Sequence, residues 1–196
     1  MPNNKKDFSD RFFQDAALTD VDGSDSLHRS YPHFVGYFDD REELTERDVV
    51  IGAYFTYGWM PRMLDLRGTL GATIKLLNGL KTEGCRLTTD EIETIASNVN
   101  GSVVGTSKLL HFIRPDVHAI WDSRVYRYLY QKEPYSYRLE AANVYNGYLD
   151  LLAYLREDNR FGDLKVQLED QIGYQVSDNR IGEYVMYYHG AKQSAN

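Results

Sequence analysis

Gly105-Thr106-Ser107-Lys108-Leu109-Leu110-His111-Phe112, followed by Ile120-Trp121-Asp122-Ser123-Arg124-Val125, are the two runs on which the reading of this chain turns. The first is an apolar, helix-forming stretch that carries one lysine. It has to end before Pro115, because the residue ahead of a proline is pushed out of the helical region. The second places an aspartate directly ahead of a helix expected over Ser123–Tyr130. A short carboxylate at that position accepts hydrogen bonds from the first unpaired amides. A helix, a proline-ended loop and a capped helix follow one another with no period-two strand pattern, so the fold class is all-α.

Outward from this segment the same signals recur. Thr45-Glu46-Arg47-Asp48 ahead of Val49-Val50-Ile51 marks a helix start, and that helix is expected to run through Tyr57 and stop near Gly58 and Pro61. Thr88-Thr89-Asp90-Glu91 fits a capping box, leading a helix with Ile92, Ile95 and Val99 that ends at Asn100-Gly101. Leu66, Leu70, Ile74, Leu77 and Leu80 predict a helix over 64–80, with Gly84 as its stop. Further helices are expected over 7–18, 137–156, 164–176 and 182–189, whereas 31–40, with Pro32 and Gly36, reads as an extended connection. The sum is a compact bundle of about eight to ten helices. One domain over 1–196 is expected, with tails at 1–6 and 190–196.

Composition narrows the function classes. With 196 residues, 42% hydrophobic and 26% charged, the chain can bury a core and is not a disordered one. The 16 Tyr suit half-buried surfaces and cleft walls, and equally the margins of a core. A net charge of −7 argues against non-specific nucleic-acid binding over the whole surface. From Gly101 to Arg138, however, six basic residues face three acidic ones, a local excess compatible with an anionic ligand. Cys85 is the single cysteine, which excludes an internal disulfide, a zinc ribbon and a four-cysteine cluster. With no apolar leader and no run approaching 18 apolar residues, a cytoplasmic protein without a membrane partner is expected. The Asp-rich loop Thr19–Ser26 lacks the twelve-residue calcium pattern and its terminal Glu. His118 and Asp122 are four apart, but a cap at Asp122 interrupts the helix that a metal pair would need, so no metal is assigned.

The chemistry that suits the opening segment needs a lysine and an aspartate together. A carboxylate fixed at a helix N-terminus stays ionised and can stabilise a developing sugar cation. A lysine partly buried on an apolar helix gives up its proton more readily and becomes a better nucleophile. The order of Gly101 and Gly105, then Lys108, then Asp122 ahead of a helix resembles the catalytic half of the helix-hairpin-helix DNA glycosylase superfamily (HhH-GPD). In that family a glycine-rich hairpin, a helix-borne lysine and a helix-capping aspartate surround a flipped nucleotide. The resemblance covers roughly Val49 to Leu129. The family hairpin, Leu-Pro-Gly-x-Gly, has its glycines two apart, whereas Gly101 and Gly105 are four apart with no proline between them. Lys108 follows Gly105 by three residues rather than two, and the interval to Asp122 is shorter than the family's.

The resemblance implies base excision: hydrolysis of the N-glycosidic bond of an extruded damaged or modified base in DNA, with no cofactor. Asp122 and Lys108 would be the catalytic pair. Tyr54, Tyr57 and Trp59 would stack on the base, Arg124 and Arg127 would contact phosphates, and His111 would lie in the substrate site. The alternative is a non-catalytic helical binding or interaction module on the same scaffold, of a phage or bacterial-defence type. A third reading is an all-helical interaction protein unrelated to nucleic acid.

Overall fold

A computed structural model of the chain describes residues 2, 4–60 and 63–192. Among the described residues there are eleven helices, packed as a bundle, and the only strand-like pairing is an isolated bridge between Leu66 and Val99. The first half holds α1 (Lys5–Ala16), α2 (Ser26–Asp39), α3 (Glu46–Trp59), α4 (Gly71–Glu83) and α5 (Thr89–Asn98). The second holds α6 (Val103–Ile113), α7 (Ser123–Tyr130), the single turn α8 (Ser136–Leu139), α9 (Ala142–Arg156), α10 (Phe161–Ile172) and α11 (Asp178–Lys192). No helix among the described residues is long and apolar enough to cross a membrane.

Local chemistry explains several of these boundaries. The capping boxes Thr45/Asp48 and Thr88/Glu91 both close, each hydroxyl accepting an amide while the acid reaches back to the cap. Gly84 ends α4 and Gly173 ends α10, each with a left-handed backbone that glycine adopts without steric cost. Three expectations fail, each because a distant partner outweighs the local signal.

Residues 31–40 are not extended: they belong to α2, with Pro32 inside the helix. A proline there removes the amide that would bond the carbonyl four residues earlier. That carbonyl is on His28, and the Tyr174 hydroxyl donates to it at 3.0 Å instead.

The helix expected over 64–80 begins only at Gly71 and runs to Glu83. Ahead of it the chain pairs with the end of α5, through Arg67 N–H to the Asn98 carbonyl at 3.0 Å and Asn100 N–H to the Asp65 carbonyl at 3.1 Å.

The long helix expected over 137–156 is broken between α8 and α9 at Glu140 and Ala141. The Glu140 carboxylate is turned toward the N-terminus of α6, accepting from Val103 N–H at 2.6 Å and Val104 N–H at 3.3 Å.

Helix α1 starts at Lys5 and α11 continues to Lys192, so both helices enter the ranges 1–6 and 190–196 expected as tails. Gly190 is buried where a Cβ would overlap the Arg124 carbonyl, so that end of α11 lies tight against α7. Residues 193–196 lie outside the described ones, as do Pro61 and Arg62 at the expected stop of α3.

Large aromatic residues dominate the interior. Trp121, Phe12, Phe38, Tyr126, Tyr145 and Tyr148 are sealed from solvent. Much of the tyrosine content is therefore core; some hydroxyls find partners, Asp15 for Tyr128 (2.8 Å) and the Ala119 carbonyl for Tyr145 (3.0 Å), whereas those of Tyr126 and Tyr148 are buried without one among the described residues.

Candidate functional site

The turn between α5 and α6 is built from two consecutive left-handed residues, Asn100 (φ 57°) and Gly101 (φ 65°). Asparagine tolerates this backbone better than most residues. Here its side chain also bonds the Met63 carbonyl at 2.9 Å and the Asp65 amide. Ser102 then caps α6, accepting Gly105 N–H at 3.1 Å. Gly105 faces α3, where any Cβ would overlap the Tyr57 hydroxyl, so the glycine lets the two helices approach. This turn aims α6 so that Lys108, only 7% exposed, reaches a cleft of about 840 Å³.

The loop after α6 is pinned along its return. His111 Nδ1–H donates to the His118 carbonyl at 2.7 Å, and Trp121 N–H donates to Ser107 Oγ at 3.1 Å. Trp121 Nε1–H donates to the Leu139 carbonyl at 2.8 Å. Asp122 follows, and its Oδ1 accepts both Arg124 N–H (2.9 Å) and Val125 N–H (3.0 Å) as the α7 cap. Both cap bonds use the same oxygen, so Oδ2 is not part of the cap. Asp122 lines the same cleft as Lys108. Trp59, at the end of α3, forms part of the wall, and Arg124 lies over the Tyr187 ring at 4.3 Å on another side.

The remaining sequence candidates are placed elsewhere. Tyr57 is buried beside a smaller adjoining cavity of about 150 Å³. Tyr54 is 59% exposed and does not line the cleft. Arg127 is held by Glu133 at 2.8 Å and 3.0 Å, also away from the cleft. His111 is sealed in the core between its bond to His118 and the Tyr31 hydroxyl at 2.8 Å, which excludes it from touching a ligand in the cleft. The local basic excess does not form one face either: Arg114 reaches the Lys81 carbonyl at 2.8 Å, and Arg138 sits over Tyr130.

Two residues on α11 complete the cleft and were not singled out by the sequence. Arg180 and Glu183 are 4% and 2% exposed and form a buried ion pair. Burial pushes the Glu183 carboxyl up to about 7, against the pull of Arg180, with the nearby Asp122 charge adding to the rise. Burial opposes the Arg180 charge, but Glu183, Tyr184 and Tyr31 more than offset it and hold the proton firmly. The readable signal was an i, i+3 opposite-charge pair inside an otherwise apolar, aromatic stretch of helix.

The guanidinium lies over the rings of Tyr184 (4.1 Å), Tyr31 (4.9 Å) and Trp59 (5.5 Å). Arg180 Nε and Trp59 Nε1 are both buried without an acceptor among the described residues. Each such orphaned donor costs about 1–3 kcal/mol.

The cleft is mixed in charge. Its acids are Asp25, Asp122, Glu140 and Glu183, and its cations are Lys108, Arg124 and Arg180. Among the described residues no three His, Cys, Asp or Glu side chains gather as a metal cage. Comparison of the chain with protein-family models, with curated proteins and with solved structures gave no match.

Proposed function

We propose that the cleft receives a base extruded from DNA and cleaves its N-glycosidic bond, with Asp122 and Lys108 as the catalytic pair. The observation that carries this reading is that the turn after α5 and the pinned loop before α7 bring Lys108 and Asp122 to one cleft, with Trp59 on its wall. Its volume of about 840 Å³ suits a nucleotide-sized ligand.

The chemistry follows from the placement. As the C1′–N bond breaks, its electron pair leaves with the base, and positive charge develops on the sugar. The Asp122 carboxylate, fixed by two amides, stabilises that charge without reorganising. The sugar carbon then gains an oxygen from water, or a nitrogen from the neutral Lys108 amine, and the proton that the attacking group gives up balances the one that the departing base nitrogen gains. Arg124 at the cleft is the cation placed to meet a phosphate.

The test incubates the intact protein with oligonucleotides that carry a panel of damaged or modified bases. Free base is measured by chromatography, and lysine adducts are trapped with borohydride. Release of at least one base is expected, and any trapped adduct should disappear in Lys108→Gln. Absence of release, of adduct and of DNA binding would overturn the reading.

A second reading has its own support. Four acids in the cleft, and Glu140 occupying the amides at the start of α6, favour a non-catalytic binding module. That reading predicts binding of a ligand without release of base in the same assay.

A further inference from the structure

We propose that Tyr135 and Tyr137 form a stacking platform for unpaired nucleotides at the rim of the cleft, and that they make single-stranded DNA the substrate in preference to duplex. The inference rests on the base-excision reading above and adds the strand state that the protein takes.

Tyr135 is 58% exposed and Tyr137 75%, while most tyrosines of the chain are buried or half-buried. Of the exposed tyrosines among the described residues, these two alone meet ring to ring, with centroids 5.8 Å apart and planes inclined by 23°. A single exposed aromatic side chain needs no explanation. Here each ring spends part of one face on the other, so the remaining exposure lies away from the pair.

The pair is fixed beside the cleft. Pro134 and Ser136, the chain neighbours of Tyr135, both line it, and so does Leu139 at the end of α8. That end is held from two sides. The Leu139 carbonyl accepts Trp121 Nε1–H at 2.8 Å, and Glu140 closes on the first amides of α6. A platform held beforehand loses little freedom when a base stacks on it.

Charge narrows the occupant. Duplex DNA is bound largely through its phosphates, which calls for a basic surface. This chain carries −7, and its local basic excess is dispersed. Near the platform stand the exposed Lys132, Arg138 over the Tyr130 ring at 5.6 Å, and Arg124 at the cleft, a set suited to a short stretch of backbone. Stacking then has to supply the rest of the affinity. Inside a duplex each base face is covered by its neighbours, whereas an unpaired strand leaves those faces open. An unpaired strand also delivers its base to the cleft with no pairing to break. Where such a strand leaves the cleft past Pro134 and Ser136, its next base meets the tyrosines.

Fluorescence anisotropy of the intact protein with a labelled mixed-sequence strand of about 15 nucleotides, alone or annealed to its complement, tests this. The single strand should bind about tenfold more tightly or better. Replacing both rings, Tyr135→Ala with Tyr137→Ala, should weaken single-strand binding about tenfold or more. The salt dependence should stay the same, because no phosphate contact is removed. Tyr135→Phe with Tyr137→Phe keeps both rings and should bind as wild type does. Both side chains are exposed, so native melting curves are expected of both variants.

Duplex binding as tight as single-strand binding, no binding of the single strand, or an alanine variant that binds like wild type would overturn the proposal. A phenylalanine variant as weak as the alanine one would overturn it too. The readout is binding, so it separates from cleavage. A single-strand preference that is lost with the rings, without base release from any oligonucleotide, would leave the platform standing and remove the excision reading. Base release indifferent to the rings and to strand state would do the reverse.

Discussion

His111 and His118 show how a single residue's environment decides its part. The neutral form of each ring is satisfied on both nitrogens. His111 donates from Nδ1 to the His118 carbonyl and accepts from Tyr31 at Nε2. His118 accepts Leu87 N–H at Nε2 (3.4 Å), which leaves Nδ1–H for the Tyr145 hydroxyl (3.1 Å). A further proton would break an accepted bond in a sealed site, and burial lowers both groups to about 3. Their folded values lie below the unfolded one of 6.5, so their stabilisation is complete above about pH 6.5 and is lost as pH falls toward 3. Glu183 has the opposite sign. Its folded value of about 7 exceeds 4.5, so its contribution is present below 4.5 and lost as pH rises through 7. Two histidines outweigh one carboxyl, so urea midpoints should rise from pH 4 to about 6.5. A midpoint at pH 4 equal to that at pH 6.5 would contradict this balance.

At the scale of elements, what was legible in the sequence was what neighbouring residues decide. The helix start at Thr45, the Thr88 box, the Asp122 cap and the Gly84 stop each depend on residues within one turn, and each is found where the sequence placed it. The errors at Pro32, at residues 64–70 and at Glu140 depend on partners many residues away. No local pattern announces that Tyr174 will satisfy the carbonyl that Pro32 leaves open. That repair makes a direct prediction. Tyr174→Phe strands the His28 carbonyl and should destabilise the protein by about 1–3 kcal/mol, read as a lower urea midpoint with an unchanged slope. An unaltered midpoint would mean that water serves the carbonyl equally well. The break between α8 and α9 has the same character: Glu140 leaves its own helix to close another, tying the α7–α9 connection to the α5–α6 turn beside the cleft.

At the scale of the whole molecule, the cleft is assembled from α3, α6, the α7 cap, the α8 region and α11, segments spread over most of the chain. The Lys108–Asp122 half was readable because 14 residues hold it together and a cap fixes one member. The Arg180–Glu183 half shows in the sequence only as an opposite-charge pair in an apolar stretch, and its place at the cleft was not readable, because only the packing of α11 against α7 and α9 delivers it to the same space. Charge behaves similarly. The basic excess seen along Gly101–Arg138 is dispersed by folding, and acids from elsewhere enter the cleft. Folding therefore leaves a mixed-charge cavity rather than a broad basic face.

The catalytic reading of that cavity stands most directly on Asp122. Asparagine caps a helix as well as aspartate does, so Asp122→Asn removes the negative charge and keeps the fold. The deciding measurement is the rate of free-base release by wild type and Asp122→Asn on the oligonucleotide that wild type cleaves best. A loss of about 100-fold or more, with an unchanged melting curve, is the result predicted when a fixed carboxylate stabilises the sugar cation. Equal rates, or no release by the wild-type protein from any oligonucleotide of the panel, would contradict it.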